Sequence, residues 1–400
     1  MSKSLFKYAH DLQNNNQLSF DSIPLSELNL IKNYKRPILL YRKNMIQERI
    51  DWIKSWKGLH RLHFAMKAND SSDILKLFLD NDCGVDVVSR GEIEKAYSVG
   101  FKPQDIIFSG VGKTKDEISQ AIDEGLYQIN VESIPELERI QKISAEKNKK
   151  VSIGLRINPE VDANTHPNIA TALLDSKFGL SMKDLPTCFE ILKLSRALEL
   201  KSISYHLGSQ IMTAEPFENA LNKVKPLFLE WQKEFSTLDR LDLGGGLGID
   251  YENHDMSQDQ TQWLNLKSVY EKHLSDFKAA FLLEMGRFMV ARSAILISEV
   301  QYIKKTENKE LLILDVGMNN LMRPSLYEAY HHVWPLKKND TEKKYMVVGP
   351  ICESTDFFHK EFVMSEVQQG DLVAISDVGA YGRSMASNYN LQPIAEEHFI

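Results

Sequence analysis

From about residue 60 onward, short apolar, β-branched runs alternate with longer stretches in which apolar residues recur at helical spacing, the rhythm of repeated βα units. Eight such runs stand out: Leu62–Met66, Val85–Val88, Asp105–Phe108, Gln128–Val131, Val151–Ile157, Ser202–His206, Leu241–Leu243 and Ala280–Glu284. Helices are predicted between them over Ser71–Leu79, Gly91–Val99, Lys115–Glu124, Pro135–Lys147, Pro216–Trp231 and Trp263–Ala279. Eight parallel strands with covering helices predict an α/β fold, a (β/α)8 TIM barrel. After Met285 the helical stretches give out, and strands are predicted over Ile295–Ile303, Leu311–Leu314, Tyr345–Val348, Glu361–Met364 and Asp371–Ile375. That stretch reads as a second, mostly β domain, sandwich- or barrel-like. The barrel is expected over residues 36–284 and the β domain over 1–35 and 285–400.

Composition narrows the ligand. A chain of 400 residues, 43% hydrophobic and 26% charged, is a globular protein with ample core, and its net charge of −7 gives no basic footprint for nucleic acid or an anionic membrane. A small molecule is the better partner. The three cysteines, Cys83, Cys188 and Cys352, show no CxxC spacing, which argues against a disulfide framework or a zinc site and for a reducing compartment. Met1–Asn16 has lysines without an apolar core of signal-peptide length, and no later run reaches the roughly 20 apolar residues of a membrane span. A cytoplasmic location is expected.

In a TIM barrel the chemistry sits at the carboxyl ends of the strands. The residues there are Lys67, Asp86 with Ser89, Ser109, Asn130, Arg156, His206 with Ser209, the glycines Gly244, Gly245 and Gly246, and Glu284. Lys67 directly follows an apolar strand, where partial desolvation lowers an amine's pKa toward nucleophilic, Schiff-base use. Taken alone it reads more readily as a strand-end lysine pointing into solvent. The glycine triplet of LDLGGGLGID follows the seventh strand, where barrels commonly cradle a phosphate on backbone N–H groups, although a tight structural turn would use the same residues. An amine and a phosphate cradle at one mouth suggest a phosphorylated aldehyde cofactor, which pyridoxal phosphate is. Such a cofactor needs a flat partner and an anion beside its ring nitrogen. His206 and Glu284 are placed for those roles, each with a purely structural alternative.

Twelve ordered strings are specific enough to name a family: AMKAN at 65–69, GVDVVSRGE at 84–92, IIFSGVGKT at 106–114, INVES at 129–133, RINPEVDANTHP at 156–167, SKFGL at 176–180, HLGSQI at 206–211, LDLGGGLGIDY at 241–251, EMGR at 284–287, DVGMNNLMRPSLYEAYH at 315–331, GPICESTD at 349–356 and GAYGRSMASNYN at 379–390. The chain resembles the alanine-racemase-like, fold type III decarboxylases, and within them the diaminopimelate decarboxylase branch. Met285 and Thr355 stand where that family commonly has proline and glycine.

The resemblance implies that Lys67 carries pyridoxal 5'-phosphate, that His206 stacks on its ring, that Glu284 pairs with the pyridine nitrogen and that Asp86 supports the site. It implies that Ser209, Gly245, Gly246 and Tyr381 hold the phosphate. Cys352 would return a proton to Cα, Cys352 and Glu353 being presented by the neighbouring subunit of a homodimer. The implied reaction is decarboxylation of meso-2,6-diaminopimelate to L-lysine and CO2, the last step of lysine biosynthesis. A distal carboxylate beside a distal amine asks for a cation and an anion, which Arg287, Arg323, Tyr327 and Glu353 would supply, with Tyr381 near the substrate. Competing readings are a related decarboxylase acting on ornithine, lysine, arginine or a carboxylated polyamine, and a non-catalytic cofactor-binding regulator.

Overall fold

The computed structural model describes residues 8–11, 17–161 and 176–400. The second half of the RINPEVDANTHP string, residues 162–167, lies outside them. The eight apolar runs form strands, here β1 (Leu59–Ala65), β2 (Gly84–Val87), β3 (Ile106–Phe108), β4 (Gln128–Val131), β5 (Val151–Arg156), β6 (Leu198–Ser204), β7 (Arg240–Asp242) and β8 (Ala280–Met285). Each pairs in parallel with the next, and β8 pairs with β1, closing the barrel. The covering helices are punctuated by their own sequence. Ser89 and Ser133 accept the backbone N–H of Glu92 and Glu136, Thr114 forms a reciprocal capping box with Glu117, and Gly100, Gly125 and Asn148 end helices in the left-handed region. Their apolar faces cover the strands, as in the ring stack of Phe78 on Phe64 at 4.1 Å. Two helices that periodicity did not predict, Lys43–Lys54 and Leu185–Leu194, are also present.

The barrel interior is polar. Alternation along the strands points His63, Asp86, Gln128, Asn130, Ser202, Ser204, Asp242 and Glu284 inward, and all are buried. β4 and β8 are four places apart in a ring of eight, yet Asn130 Nδ2 donates to Glu284 Oε1 at 3.2 Å, so the bond spans the barrel. Barrels usually fill this space with branched apolar side chains. Here Gln128, Asn130 and Glu284 are linked by hydrogen bonds, the His63 ring nitrogens and the Ser202 and Ser204 hydroxyls have no hydrogen-bond partner among the described residues, and carboxyl groups stand at the upper end.

Contacts divide the chain into two units, Arg49–Gly248 with Thr261–Phe288, and the described part of Met1–Glu48 with Ile249–Gln260 and Met289–Ile400. The second unit therefore takes in residues 36–48 and 249–260, which the sequence reading had placed with the barrel. The reason is pairing: Ile38–Tyr41 is hydrogen-bonded to the β-unit strand that begins at Ala294. That unit's main sheet is built from β9 (Ala294–Lys305), β10 (Glu310–Leu314), β11 (Val333–Pro335), β12 (Glu342–Val348), β13 (Phe357–Ser365) and β14 (Leu372–Ile375), in the order β11-β14-β9-β10-β12-β13. Glu396–Phe399 adds to Ile38–Tyr41 in parallel. Among the described residues no helix is long and apolar enough to cross a membrane.

Candidate active site

The barrel unit brings Lys67, Asp86, His206, Ser209, Gly245, Gly246, Glu284 and Arg287 together in one body. Lys67 lies on the 3-10 turn Met66–Ala68 that ends β1. Its Nζ is 3.9 Å from Asp86 Oδ2, and its side chain is 42% exposed against 2% for Asp86, so the amine is reachable while its counter-ion is not. Burial raises the Asp86 carboxyl above the usual range, and the Lys67 charge and a Ser109 hydrogen bond work against that rise. The Lys67 charge also acts on Glu284, Glu92 and His206. Burial pushes Glu92 up to about 7, with its Oε2 holding the Val88 N–H at 2.7 Å.

Glu284 is held well above the normal carboxylate range, first by burial and then by Asp242 and Asp86. Asp242, two residues before the glycine triplet, is pushed up to about 6 by burial and shares a hydrogen bond with Glu284. Two carboxyl groups this close in a dry barrel hold at least one proton between them. His206 is held well below its usual value by burial and by the Lys67 and Arg156 charges, so its ring is neutral. The Gly245 N–H donates to His206 Nδ1 at 3.3 Å, which leaves that nitrogen unprotonated.

The glycine triplet has a tertiary reason to be glycine. A Cβ at Gly244 would stand 2.1 Å from the Tyr205 carbonyl oxygen, at Gly245 1.9 Å from that of Glu284, and at Gly246 2.3 Å from that of Gly208. Gly244 and Gly246 also have φ of 64° and 107°. Of the two readings left open by the sequence, the turn is built against its neighbours whatever it binds. Ser209 Oγ accepts from Arg287 Nε and Nη2, both at 3.1 Å, so a phosphate candidate and a substrate candidate adjoin. Two strand-end candidates have structural work instead: Ser89 caps a helix, and Arg156 pairs with Glu132 at 2.9 Å.

Residues 43–291 match the family described as pyridoxal-dependent decarboxylase, pyridoxal binding domain. Diaminopimelate decarboxylase of Aquifex aeolicus is 36% identical over 95% of this chain and 90% of its own length. That of Vibrio cholerae is 35% identical over 96% and 92%. This chain belongs to the diaminopimelate decarboxylase family. A crystal structure of the Helicobacter pylori family member, complexed with L-lysine, matches with a TM-score of 0.87 and 38% identity over 93% of each chain. Lysine decarboxylase of Selenomonas ruminantium, at 22% identity and a TM-score of 0.82, shares the fold.

A family that works through pyridoxal phosphate needs an amine, a ring platform and an acid for the ring nitrogen, and the barrel residues fit. Lys67 is accessible beside a buried counter-ion, His206 is neutral, and Glu284 sits in a carboxyl pair that already holds a proton. The remaining predicted residues lie in the β unit. Cys352 is exposed, its backbone N–H held by Asn390 Oδ1 at 2.8 Å, and Glu353 Oε1 accepts from the Tyr389 hydroxyl at 2.5 Å. Arg323 is buried, Tyr327 is half-buried at the end of the same short helix, and Tyr381 has a φ of 59°. Asp242 was missed by the sequence reading. Alternation and its place before the triplet were the available signals, since a carboxylate on an inward strand position is too costly to bury without a partner.

Proposed function

We propose that this chain decarboxylates meso-2,6-diaminopimelate to L-lysine and CO2, with pyridoxal phosphate held at Lys67. The observation that carries the reading is the buried Glu284–Asp242 carboxyl pair in the same barrel mouth as the accessible amine of Lys67. When bound, pyridoxal phosphate supplies the electron sink for the pair left behind as CO2 departs. Lys67 would hold its aldehyde, His206 one ring face and Glu284 the ring nitrogen, with Ser209, Gly245, Gly246 and Tyr381 at the phosphate. The proton shared by Glu284 and Asp242 lets Glu284 keep a basic ring nitrogen protonated. Asp86 faces the Lys67 amine from a buried position and orients it.

Cys352 Sγ returns a proton to Cα in this reading. Arg287 and Arg323 read the distal carboxylate, with the Tyr327 hydroxyl beside it, and Glu353 takes the distal ammonium. The active unit in this reading is a homodimer in which Cys352 and Glu353 serve the neighbouring subunit's Lys67. The exposed apolar side chains of Tyr389, Leu391 and Ile394, on the segment that holds Cys352, support it. Three free thiols accord with a cytoplasmic setting.

The deciding experiment is CO2 release from meso-diaminopimelate, lysine, ornithine and arginine with added cofactor, where preference for lysine, ornithine or arginine overturns the substrate. Lys67→Ala should lose borohydride-trappable cofactor, and retention of the label would move the anchor. Mixing Lys67→Ala with Cys352→Ala subunits should restore a measurable fraction of activity, since one native site re-forms; sites confined to one subunit would stay dead.

A further inference from the structure

Arg323 opens the five-residue helix Arg323–Tyr327, which ends where Glu328 turns left-handed at a φ of 52°. So short a helix fixes no long side chain by itself. Yet Arg323 is only 5% exposed, and a buried guanidinium needs partners with defined geometry. Two of its partners are aromatic rings. The guanidinium carbon lies 4.5 Å from the ring centroid of Tyr251, and Nη1 lies 2.6 Å from Nε2 of His331. His331 is 1% exposed, meets Tyr251 edge-on with ring centroids 5.1 Å apart, and places Nδ1 2.8 Å from the Ser376 carbonyl oxygen.

These contacts fix the proton on His331. A carbonyl oxygen only accepts, so Nδ1 carries the N–H; a guanidinium only donates, so Nε2 presents its lone pair. The ring is therefore neutral and locked in the Nδ1–H tautomer. Ser376 directly follows β14, and its own N–H donates to the His332 carbonyl at 3.0 Å. The imidazole thus couples the arginine to the end of a sheet strand.

We propose that His331 is a positioning residue that holds Arg323 in one orientation as the reader of the substrate's distal carboxylate, an inference that rests on the function proposed above. The choice of a neutral acceptor is the physical point. A carboxylate in its place would orient the arginine equally well but would neutralise it and compete with the substrate. An imidazole lone pair orients the fork and leaves its full positive charge for the ligand.

The test is steady-state CO2 release by the holoenzyme carrying Arg323→Ala, His331→Leu, His331→Gln or the Arg323→Ala, His331→Leu pair. His331→Leu should raise KM for meso-diaminopimelate about tenfold, the loss of one charge-assisted hydrogen bond, with kcat nearly kept and cofactor absorbance unchanged. His331→Gln, whose amide oxygen accepts near the place of Nε2, should recover most of the affinity, and the double variant should be no worse than Arg323→Ala alone. A loss confined to kcat, losses that multiply in the double variant, or a His331→Gln as impaired as Arg323→Ala would each overturn the proposal. If Arg323→Ala leaves KM unchanged, the carboxylate reading itself falls. If Arg323→Ala raises KM and His331→Leu does not, only the positioning role falls. Should His331→Leu not fold, nitrogen-15 NMR of the histidine-labelled wild-type holoenzyme decides, with His331→Gln identifying the signal. An Nδ1–H ring supports the proposal, and an Nε2–H or doubly protonated ring overturns it.

Discussion

At the scale of single residues, the site depends on where protons rest in a dry barrel. Asp242 has no solvent exposure, and burial moves its pKa from 3.8 to about 6. A carboxyl whose folded pKa is raised contributes stability that is complete below its unfolded pKa and is lost as pH rises through the folded one. In the cofactor-free protein the stability gained by Asp242→Asn should therefore grow as pH rises from about 4 to about 7. Denaturant titrations at several pH values check this, and a difference independent of pH would contradict the buried acid. The cysteines differ in the same physical way. Burial pushes the Cys83 thiol up to about 11 and the Cys188 thiol up to about 12, whereas Cys352 is exposed. Since the thiolate is the reactive form, a disulfide reagent under native conditions should modify Cys352 first, and Cys352→Ala should remove the fast phase.

At the scale of elements, the strand ends do the positioning and their neighbours set the tolerances. The turn after β7 passes within backbone contact of the ends of β6 and β8, so that Glu284 N donates to the Gly244 carbonyl at 2.6 Å. Gly245→Ala would drive its Cβ into the Glu284 carbonyl and shift the strand that carries the ring-nitrogen acid. We expect it to cost about 3 kcal/mol of stability, read by chemical denaturation, along with weaker cofactor retention. The strands and their covering helices were legible because each carries its own period and caps. Lys115–Glu124, for example, begins at the Thr114–Glu117 box and ends at Gly125. Lys43–Lys54 was not, because it precedes the first strand of that alternation; Leu185–Leu194 holds its regular place between β5 and β6 but is separated from the end of β5 at Arg156 by residues 157–184, well beyond the usual length of a βα loop.

At the scale of the whole molecule, each unit is closed by contacts between distant chain segments. In the β unit the fully buried Arg292 binds Asp259 through Nε at 2.8 Å and Nη2 at 3.2 Å, reaches Asp377 at 3.4 Å, and donates to the carbonyls of Asp250 and Asn253. This one side chain ties the segment 249–260 to the strands that follow residue 289. Burial alone would raise the Asp377 carboxyl, but Arg292 and His254 outweigh it and hold it low. Its contribution has the opposite pH sign to that of Asp242: a depressed carboxyl stabilises above its unfolded pKa and loses that as pH falls through the folded value. Arg292→Ala leaves two buried carboxylates without their cation and should cost about 3–5 kcal/mol at neutral pH. A thermal or denaturant midpoint near that of the wild type would show that the network is dispensable.

The sequence by itself determined the strand and helix periods, the caps, and the identities of Lys67, His206 and Glu284 at strand ends, because those signals are local and repeat along the chain. It could not say that Asn130 and Glu284 bond across the barrel, that Asp242 shares a proton with Glu284, or that His331 holds Arg323. Nor could it place Ile38–Tyr41 in the β unit. Each of those facts is a meeting of residues far apart in the chain or on irregular segments without a period. Only closure of the barrel and pairing of the sheet bring them within hydrogen-bonding distance, and only there does burial set their charge.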